Sequence, residues 1–210
     1  MPTTKHLLAE IRRLKKGKIR DLVEARMREF SEYAAKENKD LFKELCFCIT
    51  TANCAAERCI KIQNAIGVGF LTLPEKELAA RLKELGYRFH NRSAYLTEAR
   101  KHKDSLKGYM ETHQDVKELR DYLVKNVKGL GYKEASHFLR NIGYTDLAII
   151  DFHIIDVLVE HGLIEKPKTL TKKKYLEIEG ILRDLGKKAG LNLAELDLCL
   201  WYLETGKVLK

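Results

Sequence analysis

Residues 127–151, VKGLGYKEASHFLRNIGYTDLAIID, leave the chain little choice of fold. Upstream, Leu119, Tyr122, Leu123 and Val127 stand at helical spacing within residues 116–127, which predicts a helix with one buried face. Downstream, Ala135, Phe138, Leu139 and Ile142 repeat that spacing until Gly143 stops the second helix. Between the two, Gly129 and Gly131 flank Leu130, so the backbone can take positive φ and stay bare of side chains on both sides of one apolar plug. A turn of this kind lets main-chain amides at the start of the second helix come close to a phosphate. Lys133 follows on the first turn of that helix. An ordinary tight helical connection also uses a G-x-G. More is carried by the pair Lys133 and Asp151, eighteen positions apart (133 to 151), the second at the end of the next loop.

The pattern is a helix-hairpin-helix. With Lys133 and Asp151 it resembles the helix-hairpin-helix DNA glycosylases, whose bifunctional members place a lysine at G-x-G-x-K and an aspartate beyond the following loop. GLGYKEASHFLRNIG and the ending TGKVLK are similar, more narrowly, to the archaeal-type 8-oxoguanine DNA glycosylase/AP lyases of the second class. The resemblance covers nearly the whole chain. Two departures from the wider superfamily are visible: Lys128 stands where a proline often precedes the first glycine, and the loop before Asp151 has neither proline nor a glycine run.

The resemblance implies an all-α protein of two helical lobes, one from about residue 36 to 144 and one combining 1–35 with 145–210, with Lys133 and Asp151 facing each other across a DNA-binding cleft. It implies catalytic roles for Lys133, as the amine that attacks the sugar, and for Asp151. Phe89, Trp201 and the C-terminal Lys210 would recognise the extruded base, Asn53 would fill the gap it leaves, and Gly129, Leu130 and Gly131 would hold phosphate. The carbonyls of Lys125, Val127 and Leu130 would suit a structural monovalent cation. Neither a catalytic metal nor an iron–sulfur cluster is expected.

Charge agrees with a polyanionic partner. The 210 residues carry a net charge of +9 and the isoelectric point is near 9.2, although a solvated basic surface would give the same figures. No stretch approaches the apolar length of a membrane span, and Lys5, Glu10, Arg12 and Arg13 occupy the place of a signal peptide's apolar core. A soluble, cytoplasmic protein is the expectation. Without heptads or a large apolar stripe it should be a monomer.

Residues 6–16 and 19–36 read as two helices broken at Gly17. Their run Arg12, Arg13, Lys15, Lys16, Lys18 and Arg20 is either a phosphate-contacting edge or a solvated face. Leu41, Leu45, Cys48 and Ile49 predict a buried stripe, which Thr50 to Asn53 interrupts, and residues 55–66 restart a helix. Two roles are open for Asn53, the cap of that helix and the gap-filling side chain. Cys46, Cys48, Cys54 and Cys59 lack C-x-x-C spacing, so they read as buried free thiols, as does Cys199.

Pro74 opens a further helix that Gly86 ends. Arg88, Phe89, His90, Asn91 and Arg92 then mix basic and aromatic groups in a way that suits stacking on an extruded base, although Phe89 could equally fill the core. His90, His137 and His153 show no metal-ligand spacing and read as structural or surface residues. Asp151 should cap a helix over 152–161 whose inward residues are Ile154, Ile155, Leu158 and Val159. Residues 175–188 and 193–204 read as the last two helices, and Val208 and Leu209 could tuck Lys210 inward rather than let it fray. Two other functions fit the residues: a non-catalytic DNA-binding module, and a glycosylase for another oxidised base.

Overall fold

In the computed structural model, which describes residues 3–210, the regular elements are thirteen α-helices and two 3₁₀ turns, with no strand among the described residues. No helix is long and apolar enough to cross a membrane. The chain divides into two compact units, one contiguous (Tyr33–Ile142) and one assembled from both ends (Met1–Glu32 with Gly143–Lys210).

The contiguous unit is built around α3 (Asn38–Thr51), which packs on α10 (Tyr132–Asn141), α4 (Ala56–Ile66), α5 (Gly69–Thr72), α8 (Leu106–Thr112) and α7 (Ser93–Ala99). The expected stripe is too narrow a description of α3. Phe42, Cys46 and Phe47 are as fully buried as Leu41, Leu45, Cys48 and Ile49, so from Glu44 to Thr51 the helix is enclosed on every side. Glu44 lies inside with them, and its carboxylate is satisfied by the amides of Asn141 (2.6 Å) and Gln63 (3.0 Å). The threonines do not end the helix where the sequence suggested. Thr50 and Thr51 donate their hydroxyls to the carbonyls of Phe47 and Cys48 (2.7 and 2.8 Å), and α3 runs on through both.

The other unit holds α1 (Thr4–Leu14), most of α2 (Lys18–Tyr33), α11 (Phe152–Glu160), α12 (Lys172–Ala189) and α13 (Leu193–Thr205). Within it α11 lies against α13, and α1 against α12. Much of the N-terminal basic run is committed to structure here. Lys15 donates to the carbonyls of Ala189 and Gly190 (both 2.8 Å) and Arg12 to that of Lys188 (2.9 Å), placing cations on the carbonyl end of α12, where the helix dipole is negative. Arg20 pairs with Asp21 and Glu24. The solvated-face reading fits the exposed Arg12, Arg13, Lys16, Lys18 and Arg20, and Lys15 alone is half-buried.

Candidate active site

The hairpin forms as expected between α9 (Val116–Asn126) and α10, but its two glycines have different roles. Gly129 takes φ +86°, and a Cβ there would stand 2.8 Å from the Tyr95 ring, so both its conformation and its space require glycine. Gly131 does not take positive φ. It is the extended N-cap of α10 (φ −89°, ψ −176°), and its N–H donates to the Glu134 carboxylate at 3.2 Å. Leu130 between them is buried, as an apolar plug should be.

Gly129→Ala is expected to cost about 1–3 kcal/mol through the left-handed backbone and the clash with Tyr95. At Gly131 a Cβ would meet only the flexible end of Glu134 (3.0 Å), so Gly131→Ala should cost well under half as much. Thermal melts of the two variants decide between these outcomes.

Long-range contacts that the periodicity did not reveal fix the two hairpin helices. Arg120 is about 1% exposed; its guanidinium donates to the Ser136 hydroxyl (3.1 Å) and lies 5.1 Å from the Tyr132 ring centroid. The Tyr132 hydroxyl donates in turn to Asp121. At the end of α9, the His102 ring bonds the Asn126 carbonyl (3.1 Å) and the Tyr109 hydroxyl (3.0 Å), and burial lowers its pKa.

The first intrahelical bond of α10 runs from Ala135 N–H to the Gly131 carbonyl (2.9 Å). The N–H groups of Tyr132, Lys133 and Glu134 therefore lie ahead of it at the positive end of the dipole, which is where an anion binds. Lys133 is the second residue of α10, with its side chain about one-fifth exposed and its ammonium 4.0 Å from Glu134. Its charge also reaches the Cys59 thiol between α3 and α4.

In the same unit, Arg92 brings two of the candidate residues' loops together. Its guanidinium donates to the carbonyls of Ala52 (2.5 Å) and Ile49 (3.3 Å) and to the Tyr87 hydroxyl (3.1 Å), and stands 4.7 Å from the centroid of the Phe89 ring. Phe89 is half-buried at the start of a 3₁₀ turn, packed edge-on against Tyr87. The capping role open to Asn53 is excluded, because Ala55 is the N-cap of α4. Asn53 instead sits exposed with φ +55°, a conformation asparagine tolerates better than most residues and one that projects its side chain from the bend.

Cys54, next to it, departs from the expectation of buried, inert thiols. Cys46, Cys48, Cys59 and Cys199 are buried and Cys54 is half-buried. A hydrogen bond with Cys59, aided by Arg58 and Arg92, lowers its pKa to about 7. Burial pushes the Cys46 thiol up, and that of Cys199 to about 11. Iodoacetamide near neutral pH is therefore expected to alkylate Cys54 first, at a rate that climbs through about pH 7 and then levels off as the thiolate saturates. Peptide mapping against pH tests this.

In the split unit, Asp151 is the N-cap of α11 and accepts the Ile154 N–H at 3.0 Å. The segment before it is buried, and side chains of α12 take up its main-chain polar groups. Tyr175 donates to the Ala148 carbonyl (2.7 Å) and accepts from Ile150 N–H (3.2 Å), while Glu179 accepts from Ala148 N–H (3.0 Å). Inward from α11 point Ile154, Val157 and Leu158. Ile155 and Val159, expected there, are only half-buried.

Beyond the cap lies an aromatic assembly that the sequence reading missed. Phe152 is 63% exposed and lies tilted against His153, ring centroids 3.9 Å apart; His153 meets the Trp201 indole edge-on at 4.6 Å and Glu204 at 3.6 Å. The Trp201 N–H is buried without a hydrogen-bond partner among the described residues. Gly206 ends α13 at φ +70°, Val208 packs on the cluster of Leu14, Val23, Phe30, Leu198 and Cys199, and Lys210 is half-buried. Trp201 therefore stands beside the start of α11. Lys133, Asn53 and Phe89 belong to the contiguous unit; Asp151, Trp201 and Lys210 belong to the split one.

The family model described as 8-oxoguanine DNA glycosylase matches residues 23–191. The chain is 53% identical to the 8-oxoguanine DNA glycosylase/AP lyase of Methanocaldococcus jannaschii over 97% of its own length and 99% of that protein's. It is 50% identical to the protein of that name from Korarchaeum cryptofilum, over 97% and 98%. Its fold matches the crystal structure of the M. jannaschii enzyme in complex with a 15mer DNA containing 8-oxoguanine at a TM-score of 0.95, with 53% identity over 97% and 99% of the two chains. For the 8-oxoguanine DNA glycosylase of Thermotoga maritima the TM-score is 0.93 and the identity 44%, over 99% and 100%. A hairpin with its lysine, a capped aspartate and full-length similarity to named glycosylases agree: this chain belongs to the 8-oxoguanine DNA glycosylase family.

Proposed function

We infer that this protein is a bifunctional base-excision repair enzyme that removes 8-oxoguanine from duplex DNA and then nicks the abasic strand. The observation that carries the reading is Lys133, a partly shielded amine on the first turn of the helix that leaves a phosphate-binding hairpin. The target base must first leave the stack, which costs a few kcal/mol. The amides at the start of α10, and the bare backbone of Gly129, Leu130 and Gly131, hold phosphate while it does so. Asn53 enters the vacated space. Phe89 and Trp201 take the faces of the base. Lys210 offers an ammonium and the terminal carboxylate to the edge that distinguishes 8-oxoguanine from guanine.

The reaction follows from the amine. Once Lys133 Nζ has given up its proton, its lone pair attacks C1′, the bond from C1′ to the base breaks, and the base departs with the electron pair and is protonated. Opening of the C1′–O4′ bond then gives a Schiff base. Loss of a C2′ proton expels the 3′ phosphate by β-elimination. Asp151, held in place by the Ile154 N–H that it caps, stabilises positive charge developing on the sugar and orients the amine. Neither a catalytic metal nor an iron–sulfur cluster has a step here. The donors at the end of α9 fit a structural monovalent cation: the last carbonyls of a helix carry partial negative charge, and that of Val127, which accepts Leu130 N–H at 3.2 Å, keeps a second lone pair. The carbonyls of Lys125, Val127 and Leu130 would hold such an ion.

Borohydride trapping on a panel of duplexes with single lesions tests the reading. The expected result is a covalent adduct on 8-oxoguanine and a much weaker one on oxidised pyrimidines, with the preference falling about tenfold or more when Lys210 is deleted. Tight, salt-sensitive binding without any adduct would instead identify a non-catalytic binding module, and a stronger adduct on another lesion would change the substrate.

A further inference from the structure

His6, Glu10 and His161 meet on the split unit, and none of them has a part in the proposed excision chemistry. His6 and Glu10 are one turn apart on α1, which is docked through Leu7, Ile11 and Leu14, so both side chains rise from the same face. His161 caps the C-terminal end of α11. Both imidazoles approach the same oxygen, Glu10 Oε2: His6 Nδ1 at 3.3 Å and His161 Nε2 at 3.6 Å. One nitrogen of each ring and the carboxylate oxygen all lie within 4.8 Å of one another.

His161 is oriented in the way a metal-ligating histidine is. Its ring is 8% exposed, and Nδ1 bonds the Val157 carbonyl at 2.9 Å. A carbonyl only accepts, so the proton sits on Nδ1, and in the neutral ring Nε2 presents a lone pair towards the carboxylate. The His6 ring stacks beside it, with centroids 6.0 Å apart and planes at 16°, and turns Nδ1 to the same carboxylate oxygen. In the tautomer that carries its proton on Nε2, His6 presents a second lone pair there, and one divalent cation can accept both nitrogens and the carboxylate. In a tetrahedral zinc site, with bonds of about 2.0–2.2 Å, ligand atoms stand roughly 3.4 Å apart. Two of the three separations already match.

We propose that His6, Glu10 and His161 form a three-ligand site for a borderline divalent cation, zinc in the first place, which ties the N-terminal helix to the far end of the helix that Asp151 caps. Two imidazoles and one carboxylate are the donors of zinc and its neighbours; calcium and magnesium take oxygen. The third separation closes by rotation of His6, whose side chain is 58% exposed. The role is structural. The ion anchors α11 at its C-terminal end, about 15 Å along the helix from Asp151, and takes no part in the excision chemistry.

The test uses the full chain, stripped with a chelator and titrated with Co²⁺ and then Zn²⁺. The proposal expects one equivalent of Co²⁺ to bind with tetrahedral d–d bands, without the thiolate-to-cobalt charge transfer that a cysteine site would show, and to be displaced by Zn²⁺. It also expects Zn²⁺ at about a hundredfold excess over its Kd to raise Tm by about 5–10 °C, and Mg²⁺ to have no effect. His6→Ala and Glu10→Gln, at the more accessible positions, should each abolish the bands and the Tm rise while leaving the metal-free protein folded, as judged by its circular dichroism. Failure of the intact protein to bind at about 100 µM metal would overturn the proposal. So would binding retained by both variants, or bands carrying thiolate charge transfer.

Discussion

Lys133→Gln is expected to yield no borohydride-trapped adduct on 8-oxoguanine DNA and to lower base excision by about a thousandfold or more, the scale seen when a covalent nucleophile is removed. Glutamine has nearly the helix propensity of lysine and a similar reach, so α10 should form as before and Tm should move by no more than about 2 °C. The hairpin amides remain, so DNA binding should weaken only by the loss of one cation, with a salt dependence shallower by about one unit. Trapping gels, single-turnover excision and a salt titration on the same variant separate these effects. An undiminished adduct would place the Schiff base on another amine and remove Lys133 from the mechanism.

The proposed mechanism adds an electrostatic duty to the observed capping role of Asp151, and two substitutions separate them. Asparagine caps helices as well as aspartate, so Asp151→Asn should keep the bond to Ile154 N–H and leave Tm nearly unchanged while excision falls by about 10²–10³-fold, the scale for losing one preorganised electrostatic partner. Asp151→Ala should show the same chemical loss and also melt earlier. A lost cap costs about 1 kcal/mol, or roughly 2–4 °C in a chain of this size. Single-turnover rates plotted beside melts for the pair decide the matter. If asparagine retained full activity, Asp151 would be a cap alone.

What could be read in the sequence is what is encoded locally. The hairpin, the end of α10 at Gly143, the cap at Asp151 and the stop at Gly206 each depend on a few adjacent residues with restricted backbone or capping chemistry, and each stands where the sequence put it. The errors arise where a distant partner decides. Arg120 is buried because Ser136 and Tyr132 receive it, and nothing in the period of α9 signals that. Of the two roles open to Asn53, capping falls for a local reason, since Ala55 caps α4 and Asn53 takes a left-handed backbone two residues earlier. Phe152 and His153 looked like the start of an ordinary helix, and only the position of Trp201, some fifty residues on, makes them part of an aromatic group. His6 and His161 are separated by most of the chain, so spacing rules for metal ligands could not pair them.

The support of the segment before Asp151 bears on the order in which the protein becomes competent during synthesis. Residues 33–142 are contiguous, and domains fold as units from the N-terminus as the chain emerges, so the hairpin and Lys133 can assemble before the last third has been made. The strap that ends in Asp151 is bonded to Tyr175 and Glu179 and cannot settle until α12 has been translated and docked. A partly made chain thus holds the amine without its anchored carboxylate. On the proposed mechanism the phosphate-binding hairpin forms first, and the excision chemistry is completed only when the C-terminal helices have docked.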